Sequence, residues 1–246
     1  MINYNQIAPE YAQTRTAAPW LVDFFAQELA LLPAGSVIIE LGCGTGNHIR
    51  ALAARLPQHQ YEGFDQSPAM LREAQAQPSK VIFREGDAQL YWPYSAHYAD
   101  IIFNVDVIHY IQDFRAFFSE ANRVLKAGGN LLIATDSEED LRKRSLTTFF
   151  PAILPHELAR YPTVTTLHNA ATAAGLLVGA PQMVHGTRPI TDDTIANLAA
   201  KCSSALRLIS AEALAAGIER VQRAQQAGEQ WHSLYTIYRY TRPKDR

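Results

Sequence analysis

Cysteine is scarce in this chain of 246 residues, which contains only Cys43 and Cys202. Two cysteines rule out a disulfide framework and disfavour a zinc cluster. They predict a reducing, cytoplasmic compartment. The eight histidines lack the spacing of metal ligands, and no second group of acids converges with them, so we predict no metal site.

Long apolar runs and one-sided charge are also missing. No stretch of 18 apolar residues occurs, so we expect no membrane-spanning helix. Met1–Pro9 has neither the basic nor the apolar part of a secretory signal. The 22 Lys and Arg residues nearly balance the 24 Asp and Glu residues, giving a net charge of −2. We therefore expect no nucleic-acid partner, because bulk positive charge is absent.

Short β-branched runs alternate with helical patterns in the first half of the chain. We predict strands at residues 36–41, 61–64, 80–84, 99–105 and 130–135, and helices at 47–56, 67–77 and 114–126. Gly128 and Gly129 are expected to end the last of these helices. Such alternation predicts an α/β fold, with a parallel sheet covered by helices on both faces.

The flanking residues predict further helices and a final pair of strands. Helices are expected at residues 18–32 and 163–174, and strands at 176–186 and 231–241. Residues 191–227 predict two helices, an insertion too long for a hairpin loop. We expect one domain over residues 1–246, with a helical cap (1–34), a ligand-binding core (35–136) and substrate-lid segments (138–160 and 191–227).

A glycine-rich turn, Glu40-Leu41-Gly42-Cys43-Gly44-Thr45-Gly46-Asn47, joins the first strand to its helix. In parallel sheets this edge binds nucleotide-like ligands. A dinucleotide turn needs the spacing Gly-x-Gly-x-x-Gly, whereas this turn has Gly-x-Gly-x-Gly. A carboxylate at Glu40 would repel a diphosphate. These features favour a cationic nucleoside and disfavour an NAD(P)-dependent oxidoreductase.

Acidic and amide side chains follow the next three strands. Asp65 follows the second strand, where a carboxylate can accept hydrogen bonds from both ribose hydroxyls. Asp87 follows the third strand, where a carboxylate can accept a hydrogen bond from an exocyclic amine. Asn104 and Asp106 end the fourth strand beside the same crevice. The predicted ligand site therefore draws on four consecutive strands.

Five motifs in this order carry a family resemblance: ELGCGTGN, GFDQS, EGDA, DIIFNVDVIHYI and RVLKAGGNLLIAT. Over residues 35–136 the chain resembles class I S-adenosylmethionine-dependent methyltransferases. It is most similar to the small-molecule branch that includes ubiquinone/menaquinone, malonyl-carrier and trans-aconitate methyltransferases. The resemblance implies a Rossmann-like, doubly wound sheet of seven strands, mostly parallel with the last strand antiparallel. It also implies S-adenosylmethionine as cofactor and S-adenosylhomocysteine as product.

The resemblance assigns cofactor contacts residue by residue. The methionine part of the cofactor would contact Gly42, Gly44 and Gly46. Its ammonium group would lie near Glu40 and the backbone carbonyl of Asn104. Its carboxylate would pair with Arg15. The nucleoside part would meet Asp65 at the ribose, Gln66 and Met70 beside the adenosine, and Asp87 and the backbone N–H of Ala88 at the adenine.

The acceptor site is less well defined by the sequence. The resemblance places His109 on the substrate side, either as a general base or as part of the wall. Tyr4, Tyr11 and Tyr110 are candidates for lining the pocket, and packing is an equally plausible role for each. Apolar residues in the lid segments indicate either a small-molecule acceptor that is at least partly apolar or aromatic, or simply a packed cap. Methyl transfer to O, N or C by in-line displacement is the predicted reaction, and binding of the cofactor without turnover is the alternative. We expect a monomer or homodimer.

Overall fold

The computed structural model describes residues 4–201 and 203–245. Residues 1–3 of the predicted cap, Cys202 and Arg246 lie outside the described residues. The strands are β1 (Val37–Leu41), β2 (Gln60–Asp65), β3 (Ile82–Glu85), β4 (Ala99–Val105), β5 (Leu125–Thr135), β6 (Leu177–Val178), β7 (Gln182–Pro189) and β8 (Gln230–Thr241).

The helices lie before and between these strands. They are α1 (Tyr4–Thr14), α2 (Pro19–Leu29), α3 (Asn47–Arg55), α4 (Pro68–Gln75), α5 (Phe114–Val124), α6 (Glu138–Lys143), α7 (Ser145–Phe149), α8 (Leu154–Arg160), α9 (Val164–Ala173), α10 (Asp192–Ala199) and α11 (Ala211–Gln226). Short 3-10 helices occur at Ile108–Tyr110, Pro151–Ile153 and Ser204–Leu208. Each predicted helix and strand of the core is present within a few residues of its expected bounds.

The strands form one sheet in the order β3-β2-β1-β4-β5-β8-β6, and β7 also pairs with β8. Strands β1 to β5 run parallel to one another, and β8 is antiparallel to β5, β6 and β7. The α/β class and the antiparallel last strand are therefore confirmed. The strand order reverses between β1 and β4, and a ligand crevice is expected at that point.

The sheet has eight strands rather than seven because the expected strand at 176–186 is divided. Residues Leu177–Val178 and Gln182–Pro189 both pair with β8, and Gly179-Ala180-Pro181 separates them. Pro181 has no N–H group to donate to a sheet, so it interrupts the strand.

The helix predicted at 114–126 is shorter than expected. Helix α5 ends at Val124, and Leu125 already pairs with Ala99 of β4. Gly128 and Gly129 therefore lie inside β5 instead of ending the helix, at an irregularity in the β4–β5 pairing. Sheet pairing has overridden the helical periodicity of the sequence here.

Two apolar layers cover the faces of the sheet. Helices α5 and α9 bury Phe117, Phe118 and Leu167 on one face. Helices α2 and α3 bury Phe25 and Leu52 on the other. Because side chains alternate along a strand, neighbouring β-branched residues serve both layers. This arrangement confirms the prediction of helices on both faces.

A third apolar cluster joins the two segments predicted as lids. Phe150 and Ile153 from the first segment pack with Leu206 and Val221 from the second, all of them buried. An added Cβ at Gly217 of α11 would lie 2.0 Å from the Phe150 ring, so glycine permits this close packing. Among the described residues, no helix is long and apolar enough to cross a membrane.

Candidate active site

A cavity of about 920 Å³ opens at the carboxyl ends of the parallel strands. Its wall includes residues that follow β1, β2, β3, β4 and β5, together with residues of α1 and of both predicted lid segments. The cavity therefore lies at the crevice that the strand order predicts. It is where most of the sequence-predicted site residues meet.

The three glycines of the turn differ in their surroundings. All have positive φ angles, +62° at Gly42, +52° at Gly44 and +74° at Gly46, which glycine adopts without strain. Gly44 lines the cavity, and a Cβ there would meet no atom within 4 Å. A Cβ at Gly42 would lie 2.5 Å from Val107. Gly46 does not line the cavity, and a Cβ there would lie 2.7 Å from the Phe83 ring.

The carboxylate of Asp65 connects the loops that follow β1 and β2. Its Oδ2 accepts a hydrogen bond from the Gly44 N–H at 2.9 Å, and its Oδ1 accepts one from the Ser67 N–H at 2.8 Å. Burial raises the pKa of Asp65, and the backbone hydrogen bonds oppose this shift. Each oxygen keeps a further lone pair, so the carboxylate can accept ligand hydroxyls as well.

Glu40 and His48 form a buried pair beside the turn. Oε2 of Glu40 accepts the Ile49 N–H at 3.1 Å, and Nδ1 of His48 lies 3.7 Å from Oε1. Nε2 of His48 accepts the Ala18 N–H at 3.3 Å. Burial raises the pKa of Glu40 and lowers the pKa of His48 to about 4. The imidazole is therefore neutral at pH 7, with its Nδ1 proton directed towards Glu40.

The other predicted cofactor residues divide into two groups. Arg15, Gln66, Met70, Asp87 and Ala88 line the cavity with the residues above. Met70 is nearly fully buried and packs with Ala8 of α1. Asn104 is fully buried outside the cavity wall. Its side-chain amide has no hydrogen-bond partner within the part of the chain that the structure describes.

The predicted acceptor residues also lie on the cavity wall. The hydroxyls of Tyr4 and Tyr110 are hydrogen bonded at 2.8 Å, and the rings of Tyr4 and Tyr11 meet edge to face. The ring of His109 stacks on Tyr161 at 4.5 Å. Helix α1 thus places an aromatic surface over the region that follows β4.

The side chain of His109 is half-buried, and its Nδ1 atom is buried without a partner among the described residues. Burial, with smaller effects from Arg160 and Arg144, lowers its pKa well below the ordinary value of 6.5. A general base works best when its pKa lies near the working pH. The structure gives a neutral ring of low basicity.

A buried ion network lies next to these rings. The guanidinium of Arg144 contacts Asp136 at 2.5 Å and also pairs with Glu157. Glu157 pairs with Arg160 at 2.5 Å. All four residues line the cavity. The sequence did not indicate this network because three of its members lie in a segment predicted only as helical lid.

Asp106 is the other residue whose contacts sequence reasoning missed. Its Oδ2 accepts a hydrogen bond from the Tyr235 hydroxyl at 2.8 Å, across 129 residues of chain. Its Oδ1 is buried without a partner among residues 4–201 and 203–245. The position of Asp106 after β4 was visible in the sequence, but its pairing with Tyr235 was not.

Residues 39–133 match the protein family described as a methyltransferase domain. Over this segment the chain is similar to known methyltransferases. It is 34% identical over 110 residues to a trans-aconitate 2-methyltransferase of Methylobacterium radiotolerans, which covers 44% of this chain and 42% of that protein. It is also 34% identical over 100 residues to a malonyl-[acyl-carrier protein] O-methyltransferase of Hahella chejuensis, covering 40% of this chain and 36% of that protein.

The fold of this chain also occurs in solved structures. A putative methyltransferase from an antibiotic biosynthesis pathway of Anabaena variabilis aligns with a TM-score of 0.68 and 19% identity, over 93% of this chain and 99% of that one. In contrast, the chain spans about two fifths of the length of the two curated relatives above. The sequence match with those relatives is thus limited to part of each chain.

Proposed function

We propose that this protein transfers a methyl group from S-adenosylmethionine to a small-molecule acceptor. The observation that carries the proposal is the link from Asp65 to the open Gly44 turn, at the base of a cavity of about 920 Å³. The turn leaves room for a ligand backbone, and the carboxylate beside it suits a ribose. No diphosphate-binding spacing is present, which disfavours the oxidoreductase alternative.

The residues around the turn fit this cofactor chemically. Asp65 would accept the ribose hydroxyls, and Asp87 and the Ala88 N–H would meet the adenine. Gln66 and Met70 would flank the adenosine. At the methionine end, Arg15 would hold the carboxylate. The backbone of Gly42 and Gly44, with Glu40 and the Asn104 carbonyl nearby, would surround the ammonium. Gly46 is proposed to act through packing on Phe83, because it lies outside the cavity wall.

When bound, the cofactor supplies a methyl group already activated by a sulfonium. The protein then has to align the acceptor with that methyl and keep water out. Proximity and orientation of this kind contribute about 7–11 kcal/mol to the lowering of a barrier. The Tyr4–Tyr110 contact between α1 and the segment after β4 is suited to exclude water from the reacting region.

The acceptor region combines aromatic rings with charged groups. Tyr110, Tyr161 and Trp231 supply rings, whereas Arg160 and Arg188 supply guanidinium groups. We therefore propose an acceptor with an aromatic or apolar part and at least one polar group, methylated on O, N or C. The names of the two relatives above include carboxylic acids, which agrees with a polar acceptor. No nucleic-acid partner is proposed.

Calorimetric titration with S-adenosylmethionine, S-adenosylhomocysteine and NADH tests the cofactor. We expect the two sulfur compounds to bind with micromolar dissociation constants and NADH to show no saturable heat. Binding of NADH alone would refute the proposal. Release of S-adenosylhomocysteine on adding a metabolite extract then tests turnover, and a complete lack of release with any fraction would favour a binding protein without catalysis.

A further inference from the structure

One carboxylate oxygen in the cavity wall has no hydrogen-bond partner among the described residues. Oδ1 of Asp106 is buried and accepts no hydrogen bond from the described residues, whereas Oδ2 is held by Tyr235. An unpaired buried carboxylate oxygen is costly, since such groups are normally hydrogen bonded. An unpaired oxygen on a ligand-cavity wall therefore points to a ligand atom that carries a hydrogen.

The backbone fixes the position of this carboxyl group. Asp106 has a φ of +57°, an uncommon value for a residue with a side chain. Its N–H donates to the Ala134 carbonyl at 3.1 Å, and the next residue, Val107, packs against Gly42. Strained residues that the surrounding structure holds in place concentrate at functional sites.

Asp106 lines the cavity together with Arg15, which is proposed to hold the cofactor carboxylate. Arg144 and Glu157 of the buried ion network line the same cavity. The charges of all three residues influence the pKa of Asp106. The Tyr11 side chain experiences the charges of both Asp106 and Asp65. Asp106 is therefore placed where the methyl donor and the acceptor would meet.

His109 and Asp106 both follow β4 and are the candidate proton acceptors, since the nearby Asp136 and Glu157 are paired with Arg144. The low pKa of His109 makes it a poor proton acceptor. Burial raises the pKa of Asp106 and so makes its carboxylate more basic than an exposed one. The Tyr235 hydroxyl holds the carboxyl group in one orientation, with Oδ1 as the free oxygen.

We propose that Oδ1 of Asp106 accepts the proton of the methyl acceptor, which therefore presents an O–H or N–H group to the cavity. The inference rests on the proposed function and deepens it. The lone pair of the acceptor atom forms the new bond to the methyl carbon, and its proton passes to Asp106. The electron pair of the broken carbon–sulfur bond remains on sulfur as a neutral thioether, and Asp106 later releases the proton to solvent.

Sinefungin provides a test that does not require the natural acceptor. This analogue carries a protonated amine where S-adenosylmethionine carries its methyl sulfonium, whereas S-adenosylhomocysteine carries neither. An ionised Asp106 facing that position binds the amine as a close charged partner. At pH 8 we expect sinefungin to bind the wild-type protein at least tenfold more tightly than S-adenosylhomocysteine.

Asp106→Asn should reduce this preference to less than threefold and leave the affinity for S-adenosylhomocysteine within threefold of wild type. Asparagine tolerates positive φ angles well, so the backbone is expected to keep its conformation, as circular dichroism would verify. Asp193→Asn changes an exposed carboxylate of the same cavity and is the matched control. It should retain the full preference.

Two outcomes would overturn the inference in different ways. If the wild-type protein binds S-adenosylhomocysteine but has no preference for sinefungin, or if Asp106→Asn retains the preference, Asp106 does not face the transferred methyl. If the wild-type protein does not bind S-adenosylhomocysteine at all, the proposed function fails, and the role of Asp106 fails with it.

Tyr235→Phe gives a second measure and should weaken the preference for sinefungin severalfold, because it releases Oδ2 of Asp106.

Discussion

Asp65 combines a structural contact with a proposed ligand contact in one carboxylate. Asp65→Ala should weaken binding of S-adenosylhomocysteine at least tenfold, because it removes the proposed ribose partner and the bond to the Gly44 N–H. Calorimetry measures the change, and Glu229→Ala, at an exposed turn, is the control. An unchanged affinity would remove Asp65 from the ribose site. Asp65→Asn keeps one acceptor oxygen, so its affinity for S-adenosylhomocysteine should lie between those of the wild-type protein and Asp65→Ala.

His48 makes the stability of the protein depend on pH. Its folded pKa of about 4 lies below the ordinary value of 6.5, so between these values the unfolded chain binds more protons. The contribution of His48 to the free energy of unfolding is therefore fully present above pH 6.5, and it is lost as the pH is lowered towards 4. The difference between the pKa values of 6.5 and about 4 corresponds to about 3 kcal/mol, and burial of the ring is its cause.

His48→Gln should lack this contribution to the pH dependence. Urea unfolding of both proteins at pH 7, 5.5 and 4.5 measures it. The wild-type protein is expected to lose stability more steeply than the variant over this range. Parallel pH curves for the two proteins would show that His48 is not responsible.

Residues at strand ends were the part of the site that the sequence predicted best. Asp65 ends β2 and Asp87 lies two residues after β3, so their positions depend only on local pattern and on the parallel order of the strands. The pairing of Asp106 with Tyr235 had no comparable signal, because it joins strands far apart in sequence. The low basicity of His109 arises from burial, with smaller effects from Arg160 and Arg144, and local sequence does not reveal these surroundings.

At the scale of elements, the glycine turn allows packing and ligand access to be separated. Gly46→Ala should lower the free energy of unfolding by about 2–4 kcal/mol, because the new methyl group would collide with the Phe83 ring at a positive φ. Gly44→Ala should cost about 1–2 kcal/mol through backbone strain alone, since no atom lies within 4 Å of the new Cβ. Chemical denaturation measures both.

The two glycine variants should also differ in ligand binding. Gly44→Ala is expected to weaken S-adenosylhomocysteine binding at least tenfold, because its methyl group would enter the cavity. Gly46→Ala should bind almost normally when tested well below its melting temperature. Equal losses of affinity in both variants would argue against the separate roles.

The boundaries that the sequence misplaced have tertiary causes. The pattern Phe117, Phe118, Ala121, Val124 and Leu125 is helical, yet the pairing of Leu125 with Ala99 starts β5 one residue after Val124. Likewise, the apolar run after Gly175 suggested one strand, and Pro181 divides it. Local periodicity identified each element but not the residue at which sheet pairing takes over.

At the scale of the whole molecule, ligand binding should stabilise the fold. A ligand at one hundred times its dissociation constant adds about 2.7 kcal/mol to the free energy of unfolding. For a chain of this length that corresponds to a rise in melting temperature of roughly 5–10 °C. Differential scanning fluorimetry with S-adenosylhomocysteine should show this rise, and NADH at the same concentration should not. Equal shifts with both ligands would contradict a selective nucleoside site.

The core and the two predicted lid segments differ in how far the sequence predicts them. The core over residues 35–136 was predictable because strand and helix patterns repeat there. The segments at 138–160 and 191–227 pack on one another around Phe150 and Leu206. Their role as a substrate lid, like the monomeric or homodimeric state, stays a prediction that light scattering and acceptor-binding studies can address.

The contribution of β8 to the site has a consequence for biosynthesis. Tyr235, the hydroxyl partner of Asp106, belongs to the strand that inserts beside β5. During translation, β1 to β5 leave the ribosome well before this strand does. A nascent polypeptide that has completed its glycine turn would therefore still lack the oriented Asp106 carboxyl group. Chemical competence would be acquired only once the closing strand has docked.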